Sequence, residues 1–177
     1  MTPDDRYRIV TPRLRLREFT WNDLDFYAEL LGDPEVMRWY PKVLTRDEAA
    51  EHLTTRILPR YAEHGDGLWL VEDRATGAPL GRVGVIRQNL DDGQHVEVGY
   101  MIHRPYWRRG YATEAARACH AYVFDTLQAD HVIALVRPEN EPSQRTAQAL
   151  GLTIARQTMH FGLLHDVYRK ERDAGPV

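Results

Sequence analysis

The chain has 177 residues, of which 43% are hydrophobic and 28% charged, a composition typical of one soluble globular domain rather than a disordered chain. Its net charge of -3 argues against a nucleic-acid-binding protein, since such proteins are usually strongly basic. The single cysteine, Cys119, excludes an internal disulfide and favours a reducing, cytoplasmic location, and no apolar run approaches the roughly 18 residues of a membrane span.

Other broad classes are also disfavoured. The eight histidines form neither an HExxH pair nor a cluster with cysteine, so no metal site is expected. The first ten residues, MTPDDRYRIV, contain acids and lack the apolar core of a signal peptide. Without an internal repeat or a low-complexity linker, we expect one domain over residues 1–177, with its core at about residues 10–172.

The first third of the chain predicts one strand and two helices. TPRLRLREFT (residues 11–20) alternates leucine with arginine, which indicates a half-buried strand. DLDFYAELLGD predicts a helix that ends at Gly32. The next helix begins with a capping box from Thr45 to Glu48, and Pro59 within it predicts a kink or a break.

The central part predicts three antiparallel strands, GLWLVED, PLGRVGVIRQ and HVEVGYMIHR. Alternation in the third strand places Glu97 and Tyr100 on opposite faces. A helix is expected from about Thr113 to Leu127, followed by HVIALV, a strand buried on both faces. The strand–helix–strand over residues 95–136 should form a right-handed parallel crossover.

The last part predicts a short helix and a hairpin. NEPSQRTAQALG has Asn140 near the helix start and Gly151 at its end. LTIARQTMHF and HDVYRKE follow as two paired strands, and DAGPV is expected to be a frayed tail. The order of elements therefore predicts a mixed α/β fold, with antiparallel strands around a central parallel crossover.

The segment HRPYWRRGYATEA predicts an anion site. Gly110 can adopt backbone angles closed to other residues, and Ala112 is small enough to admit a ligand. The helix that follows begins with unpaired N–H groups that favour a phosphate, and Arg108 and Arg109 add positive charge. The alternative is an ordinary strand-to-helix turn with two solvated arginines. Neither GxxxxGK[ST] nor a GxGxxG after a strand is present.

The stretch EVGYMIHRPYWRRGYATEA resembles the coenzyme A-binding core of the GNAT N-acetyltransferases, specifically their RimJ/RimL-type branch. Gly110 and Ala112 match the end of the family pattern Q/R-x-x-G-x-G/A, while its first position is Trp107, a departure frequent in this branch. TPRLRLRE, NEPSQRTAQALGL and GLLHDVY extend the resemblance over nearly the whole chain. The resemblance implies a GNAT-like fold.

The resemblance also implies acetyl-CoA as cosubstrate, without a metal. Its pyrophosphate would bind the loop amides of six consecutive residues: Arg108, Arg109, Gly110, Tyr111, Ala112 and Thr113. Its pantetheine arm would lie as an added strand beside the backbone of Met101, Ile102 and His103. Asn140, together with Ser143, would hold the arm from the other side, and an N–H near Met101 or Ile102 would polarise the thioester carbonyl.

In this reaction an amine attacks the thioester directly, so it needs a base and a proton donor. Glu97 in EVGY matches the branch and is the candidate base, acting through a water; the alternative is a solvated or merely hydrogen-bonded strand residue. Many GNAT enzymes have a donor tyrosine where this chain has Ala147, so Ser143 is the candidate donor. The alternative is that Ser143 only caps the helix.

The expected function is transfer of an acetyl group from acetyl-CoA to a primary amine, either a protein N-terminus or a small molecule, in a ternary complex. The alternative is a non-catalytic acyl-CoA sensor or partner-binding module with the same fold. A homodimer is a family-based expectation, and neither nucleic acid nor a membrane is an expected partner. Trp39 and Tyr40 could line the acceptor pocket or have a packing role, while Tyr100 and Cys119 are expected in the core.

Overall fold

The computed structural model describes residues 6–173. Within that range the strands are β1 Tyr7–Val10, β2 Leu14–Arg17, β3 Gly67–Asp73, β4 Pro79–Leu90, β5 Gly93–Ile102, β6 His131–Val136, β7 Thr153–His160 and β8 Leu163–Glu171. The helices are α1 Leu24–Gly32, α2 Arg46–His52, α3 Leu58–His64, α4 Tyr111–Ala121 and α5 Glu141–Ala149. Of the tail DAGPV, residues 174–177 lie outside the described residues. None of the described helices is long and apolar enough to cross a membrane.

The eight strands form one sheet in the order β1-β2-β3-β4-β5-β6-β8-β7. All neighbours are antiparallel except β5 and β6, which are parallel and are joined through α4. The predicted mixed α/β fold, with its meander and central parallel pair, is therefore confirmed.

Apolar side chains cover both faces of the sheet, as the alternation along β5 predicts. Val98 and Ile102 belong to the cluster that packs against α4, whereas Met101 belongs to the cluster around α1 and α2. Because side chains alternate along a strand, Glu97 shares the α1–α2 face with Met101. Arg82 pairs with Met101 across β4 and β5 and lies on that same face.

Strand β1 and the start of α4 differ from the sequence prediction. The short strand β1 was not predicted; it pairs with β2 at the edge of the sheet. Helix α4 begins at Tyr111, two residues before Thr113, because the N–H of Glu114 already donates to the carbonyl of Gly110 at 3.0 Å. The turn that starts the helix is therefore closed by Gly110.

The capping box and the proline effect in the second helical segment are both confirmed. Thr45 accepts from the N–H of Glu48, whose carboxylate accepts from the N–H of Thr45. A π-helical turn, Leu53–Ile57, separates α2 from α3 just before Pro59. Proline lacks an N–H and its ring crowds the preceding turn, so the regular hydrogen-bond ladder is interrupted there.

Candidate active site

Strands β5 and β6 meet at only one position and then separate. Their only paired residues are Glu97 and Ile133. Beyond that position β5 remains paired with β4, and β6 remains paired with β8 along its whole length. The inner edges of β5 and β6 therefore face each other across an opening, which we call the β5–β6 gap.

Alternation of the hydrogen bonds decides which backbone groups face this gap. The N–H of His103 donates to the carbonyl of Leu80 at 2.8 Å, so the backbone groups of Met101 and His103 point toward β4. Those of Tyr100 and Ile102 point into the gap. The carbonyl of Ile102 accepts from the indole N–H of Trp107 at 2.6 Å. The backbone N–H of Ile102 itself faces the gap.

This arrangement differs from the sequence expectation for Met101 and His103. The backbone of Met101 pairs with Arg82 of β4 and does not face the gap. The N–H of His103 is bonded to Leu80, and its carbonyl accepts from the N–H of Tyr106 at 3.0 Å, so both of these groups are used within the protein. Tyr100 offers its backbone to the gap instead. The alternation of residues in a sequence predicts which side chains share a face of the strand. It does not predict which neighbouring strand each backbone N–H and C=O points toward, since that depends on the pairing.

The loop and helix start over residues 108–113, here called the anion loop, follow β5 after the short helical turn Arg104–Tyr106. Arg108 and Gly110 have φ angles of 62° and 77°, and Arg108, Arg109 and Gly110 are all exposed. The first N–H groups of α4 have no partner within the helix. An exposed loop therefore leads into the positive end of a helix, the arrangement on which the predicted anion site depends.

Arg13, which the sequence analysis missed, attaches the anion loop to the segment before β2. Its Nε atom lies 2.6 Å from Oε2 of Glu114, and its Nη1 donates to the carbonyl of Arg109 at 3.0 Å. The other carboxylate oxygen of Glu114 accepts from the Thr11 hydroxyl at 2.6 Å. The guanidinium also stacks 4.7 Å from the ring of Tyr111. These contacts fix the start of α4 without occupying its N–H groups.

Glu97 is a buried carboxyl at the point where the strands separate. It is only 8% exposed, so the solvated alternative is wrong. Burial raises the pKa of Glu97 to about 7, while hydrogen bonds from Gln88 and from the N–H of Leu135, together with the charge of Arg60, oppose the increase. The Gln88 bond measures 2.7 Å. Glu97 can therefore gain and lose a proton near neutral pH.

Tyr100 and Ser143 form a hydrogen-bonded pair between β5 and α5. The Tyr100 hydroxyl donates to the Ser143 carbonyl at 2.9 Å, and the Ser143 hydroxyl donates to the Tyr100 oxygen at 3.1 Å. Burial of the phenol raises the pKa of Tyr100, so this hydroxyl keeps its proton at neutral pH. The Tyr100 ring packs against the core, as predicted. Its hydrogen bond with Ser143 was not predicted.

Asn140, rather than Ser143, caps α5. The Asn140 side-chain oxygen accepts from the N–H of Ser143 at 3.2 Å, which is the usual N-cap bond. The alternative that Ser143 itself caps the helix is therefore wrong. The cap leaves the amide nitrogen of Asn140 and the hydroxyl of Ser143 at the open end of α5.

A second polar chain lies on the α1–α2 face and was also missed. Arg82 Nη1 donates to the Tyr27 oxygen at 2.8 Å, and that oxygen lies 2.8 Å from Nδ1 of His52. Burial and the charge of Arg82 lower the pKa of His52 to about 4, so the ring is neutral and accepts the Tyr27 proton. The available signal was an arginine within the otherwise apolar PLGRVGVI.

Tyr40 joins this chain to the neighbourhood of Glu97. The residue is 42% exposed, while desolvation of its hydroxyl raises the pKa of Tyr40. The positive charge of Arg82 opposes this increase, and the negative charge of Glu97 adds to it. The Tyr40 hydroxyl therefore lies within electrostatic range of both groups, and we call the region around Tyr40, Arg82 and Glu97 on the α1–α2 face the cleft.

Residues 13–153, which include the anion loop, the β5–β6 gap and α5, match the family described as "Acetyltransferase (GNAT) domain". The chain belongs to the GNAT acetyltransferase family. The separated parallel strands and the anion loop lie within the matched residues, and the family is the one that the sequence resemblance indicated.

Relatives and solved structures agree with this GNAT assignment. The chain is 32% identical to "Uncharacterized protein YkkB" of Bacillus subtilis (strain 168), covering 93% of this chain and 95% of the relative. It is 30% identical to "Uncharacterized N-acetyltransferase YnaD" of the same organism, covering 81% of each. The crystal structure of an acetyltransferase from Agrobacterium tumefaciens str. C58 has the same fold, with a TM-score of 0.78 and 24% identity over 93% of this chain and 94% of that one.

The position of Glu97 predicts a carboxyl that titrates near neutral pH. We expect the carboxyl carbon of Glu97 to show a midpoint near pH 7 in a carbon-13 NMR titration. Gln88→Met removes a hydrogen bond that favours the charged form, so it should move the midpoint to higher pH.

Asn89→Met is the matched control, since Asn89 is the next residue of β4 and its side chain is exposed on the opposite face. Its midpoint should equal that of the unmodified protein. A Glu97 midpoint near 4.5, or an equal shift in both variants, would contradict this account of the carboxyl.

Proposed function

We propose that this protein is an acetyl-CoA-dependent N-acetyltransferase of the RimJ/RimL-type branch, formed by a single domain and acting on a primary amine. The observation that carries the proposal is Glu97, a buried carboxyl with a pKa of about 7 at the point where β5 and β6 separate. A group with this pKa can accept a proton from an amine at neutral pH.

The backbone geometry fits acetyl-CoA. The exposed amides of the anion loop, with Arg108 and Arg109, suit a pyrophosphate. The N–H of Ile102 and the backbone of Tyr100 suit the amide groups of a pantetheine arm that enters the gap as an extra strand. The free amide nitrogen of Asn140 would hold the arm from the α5 side.

Acetyl-CoA supplies the acetyl group as a thioester, which the amine attacks directly within a ternary complex. Glu97 takes the proton of the amine through a water, and the N–H of Ile102 stabilises the charge that develops on the carbonyl oxygen. Tyr100 gives its proton to the departing thiolate, and the Ser143 hydroxyl stabilises the phenolate that remains. Ser143 therefore assists the donor, and Tyr100 is the donor itself.

A non-catalytic acyl-CoA sensor would use the same anion loop and gap. The state of Glu97 favours the enzyme, because a buried carboxyl destabilises the fold wherever it ionises and a sensor gains nothing from it. Turnover of acetyl-CoA with any primary amine, measured through the release of free thiol, supports the enzyme. Tight acetyl-CoA binding without turnover on a broad amine panel would support the sensor.

Gly110→Val should weaken acetyl-CoA binding at least about tenfold, which corresponds to 1.4 kcal/mol. Gly110 has a φ of 77°, which valine adopts only with strain, and its side chain would crowd Arg13, whose Nη2 lies 3.5 Å from an added Cβ, so the loop would shift. Titration calorimetry with acetyl-CoA measures the effect.

Gly162→Val is the matched control. Gly162 has a φ of 74° and open space around it, in the turn between β7 and β8, so the backbone strain is the same but the anion loop is intact. Equal loss of affinity in both variants would mean that strain, rather than the loop, determines binding.

Glu97→Gln should lower kcat by about 100-fold or more while changing the Kd of acetyl-CoA by less than about threefold, as expected for loss of a general base. In the unmodified protein, kcat/KM should rise with pH through about 7, since only the deprotonated carboxylate accepts a proton. The variant should lose this inflection. An unchanged pH profile would remove Glu97 from the mechanism.

Tyr100→Phe and Ser143→Ala should separate the proton donor from its partner. Tyr100→Phe should lower kcat by about 100-fold, whereas Ser143→Ala should lower it by about tenfold, because only the first removes the donor. An acceptor-saturated assay measures both. A larger loss in Ser143→Ala would assign the donor to Ser143 instead.

A further inference from the structure

Arg82 is a buried arginine on the same face as Glu97, and it is 8% exposed. Its hydrogen-bond partner is the hydroxyl group of Tyr27 at 2.8 Å, and the hydroxyl group of Tyr40 lies near its charge; neither hydroxyl is charged at neutral pH. Burying a guanidinium without a counter-ion is costly, since its hydration is lost and no opposite charge replaces it. The fold alone therefore gives no reason for a positive charge at this position.

Other arginines in the described residues show the contrast. Arg17, which is only partly exposed, contacts the carboxylates of Asp23 and Glu72 at 2.8 and 2.6 Å. Within residues 6–173, no carboxylate lies within 4.0 Å of Arg82. Arg82 is thus a buried cation whose nearest partners are neutral.

Arg82 also retains donors that a ligand can reach. A guanidinium has five N–H donors, and the Tyr27 oxygen uses only part of them. None of the Arg82 nitrogens is both shielded from solvent and without a hydrogen bond, in contrast to those of Arg60 and Arg137. The unused N–H groups of Arg82 therefore keep contact with solvent.

The distance from Arg82 to Glu97 suits a small bifunctional ligand. Arg82 pairs with Met101, which is four residues from Glu97 along β5, or about 13 Å between backbones. The charges of Arg82 and Glu97 both act on the pKa of Tyr40, so the Tyr40 hydroxyl lies within electrostatic range of both groups. A ligand shorter than the backbone separation can therefore reach both groups.

We propose that the acceptor is an amino carboxylate, whose amine lies toward Glu97 and whose carboxylate binds Arg82 between Tyr27 and Tyr40. This inference rests on the proposed acetyltransferase function and names its substrate class. The carboxylate supplies the missing counter-charge through charge-assisted hydrogen bonds. A polyamine, which carries only positive charges, is disfavoured by the same guanidinium.

The test compares each acceptor with its own primary amide, which has nearly the same shape but no negative charge. L-α-Amino acids and ω-amino carboxylates from glycine to 6-aminohexanoate are assayed with acetyl-CoA by release of free thiol. We expect at least one carboxylate to exceed its amide in kcat/KM by about tenfold or more, as for a hydrogen bond between charged groups. Equal use of every acid and its amide would overturn the inference.

Arg82→Gln should reduce this acid-to-amide ratio to about one, mainly by lowering kcat/KM for the acid. Arg46→Gln is the control, because it removes a positive charge from α2 at the exposed surface, where Arg46 pairs with Asp25. The control should keep the ratio. If Arg82→Gln does not fold, Arg82→Lys serves instead, and it should lower the ratio because lysine cannot bind a carboxylate with two parallel bonds.

The same samples separate this inference from the proposed function. Acetyl-CoA affinity measured by calorimetry should be equal in Arg82→Gln, Arg82→Lys and the unmodified protein, since Arg82 lies outside the anion loop and the gap. If both Arg82 variants turn over with the same acid-to-amide ratio of kcat/KM as the unmodified protein, the amino carboxylate assignment is overturned. The proposed acetyltransferase function would then still stand. Binding of acetyl-CoA without turnover of any amine would contradict the proposed function, and this inference with it.

Discussion

The site depends on the single pairing of Glu97 with Ile133, after which β5 and β6 separate. Unpaired backbone groups are normally costly inside a protein, so a split sheet needs support. Here the outer edges are secured, because β4 pairs with all of β5 and β8 with all of β6. The backbone N–H of Leu135 on β6 lowers the pKa of Glu97, so the carboxyl lies close to the edge of β6. The carboxyl is therefore placed between the two strands where they separate.

Burial has opposite consequences for the two charged groups near this opening. Glu97 can respond by binding a proton, which is why its pKa rises to about 7. A guanidinium has no comparable response, so burial leaves Arg82 needing an anion. The pKa of Tyr40 is influenced by the charges of both groups. A titratable group and a permanent cation in one cleft match an acceptor with an amine at one end and a carboxylate at the other.

The sequence predicted those parts of the molecule that local patterns determine. Alternation in HVEVGYMIHR, the apolar run HVIALV and the glycine of the anion loop were sufficient to predict β5, β6 and the start of α4 to within two residues. The polar chain from Arg82 to Tyr27 could not be predicted, because it joins residues 55 positions apart that only tertiary packing brings together. Strand β1 was missed since four residues carry too little alternation to distinguish a strand from an extended end.

The anion loop and the gap could be predicted from the sequence better than the cleft around Arg82, and the difference has a physical origin. The anion loop and the gap use backbone groups, so their chemistry depends on conformation, and side chains such as Arg13 contribute by fixing that conformation. The acceptor cleft uses side chains, whose identity carries the specificity but whose neighbours are distant in sequence. Under the proposed function, a GNAT chain can therefore keep its cosubstrate site while single residues at positions such as Arg82 would change what it acetylates.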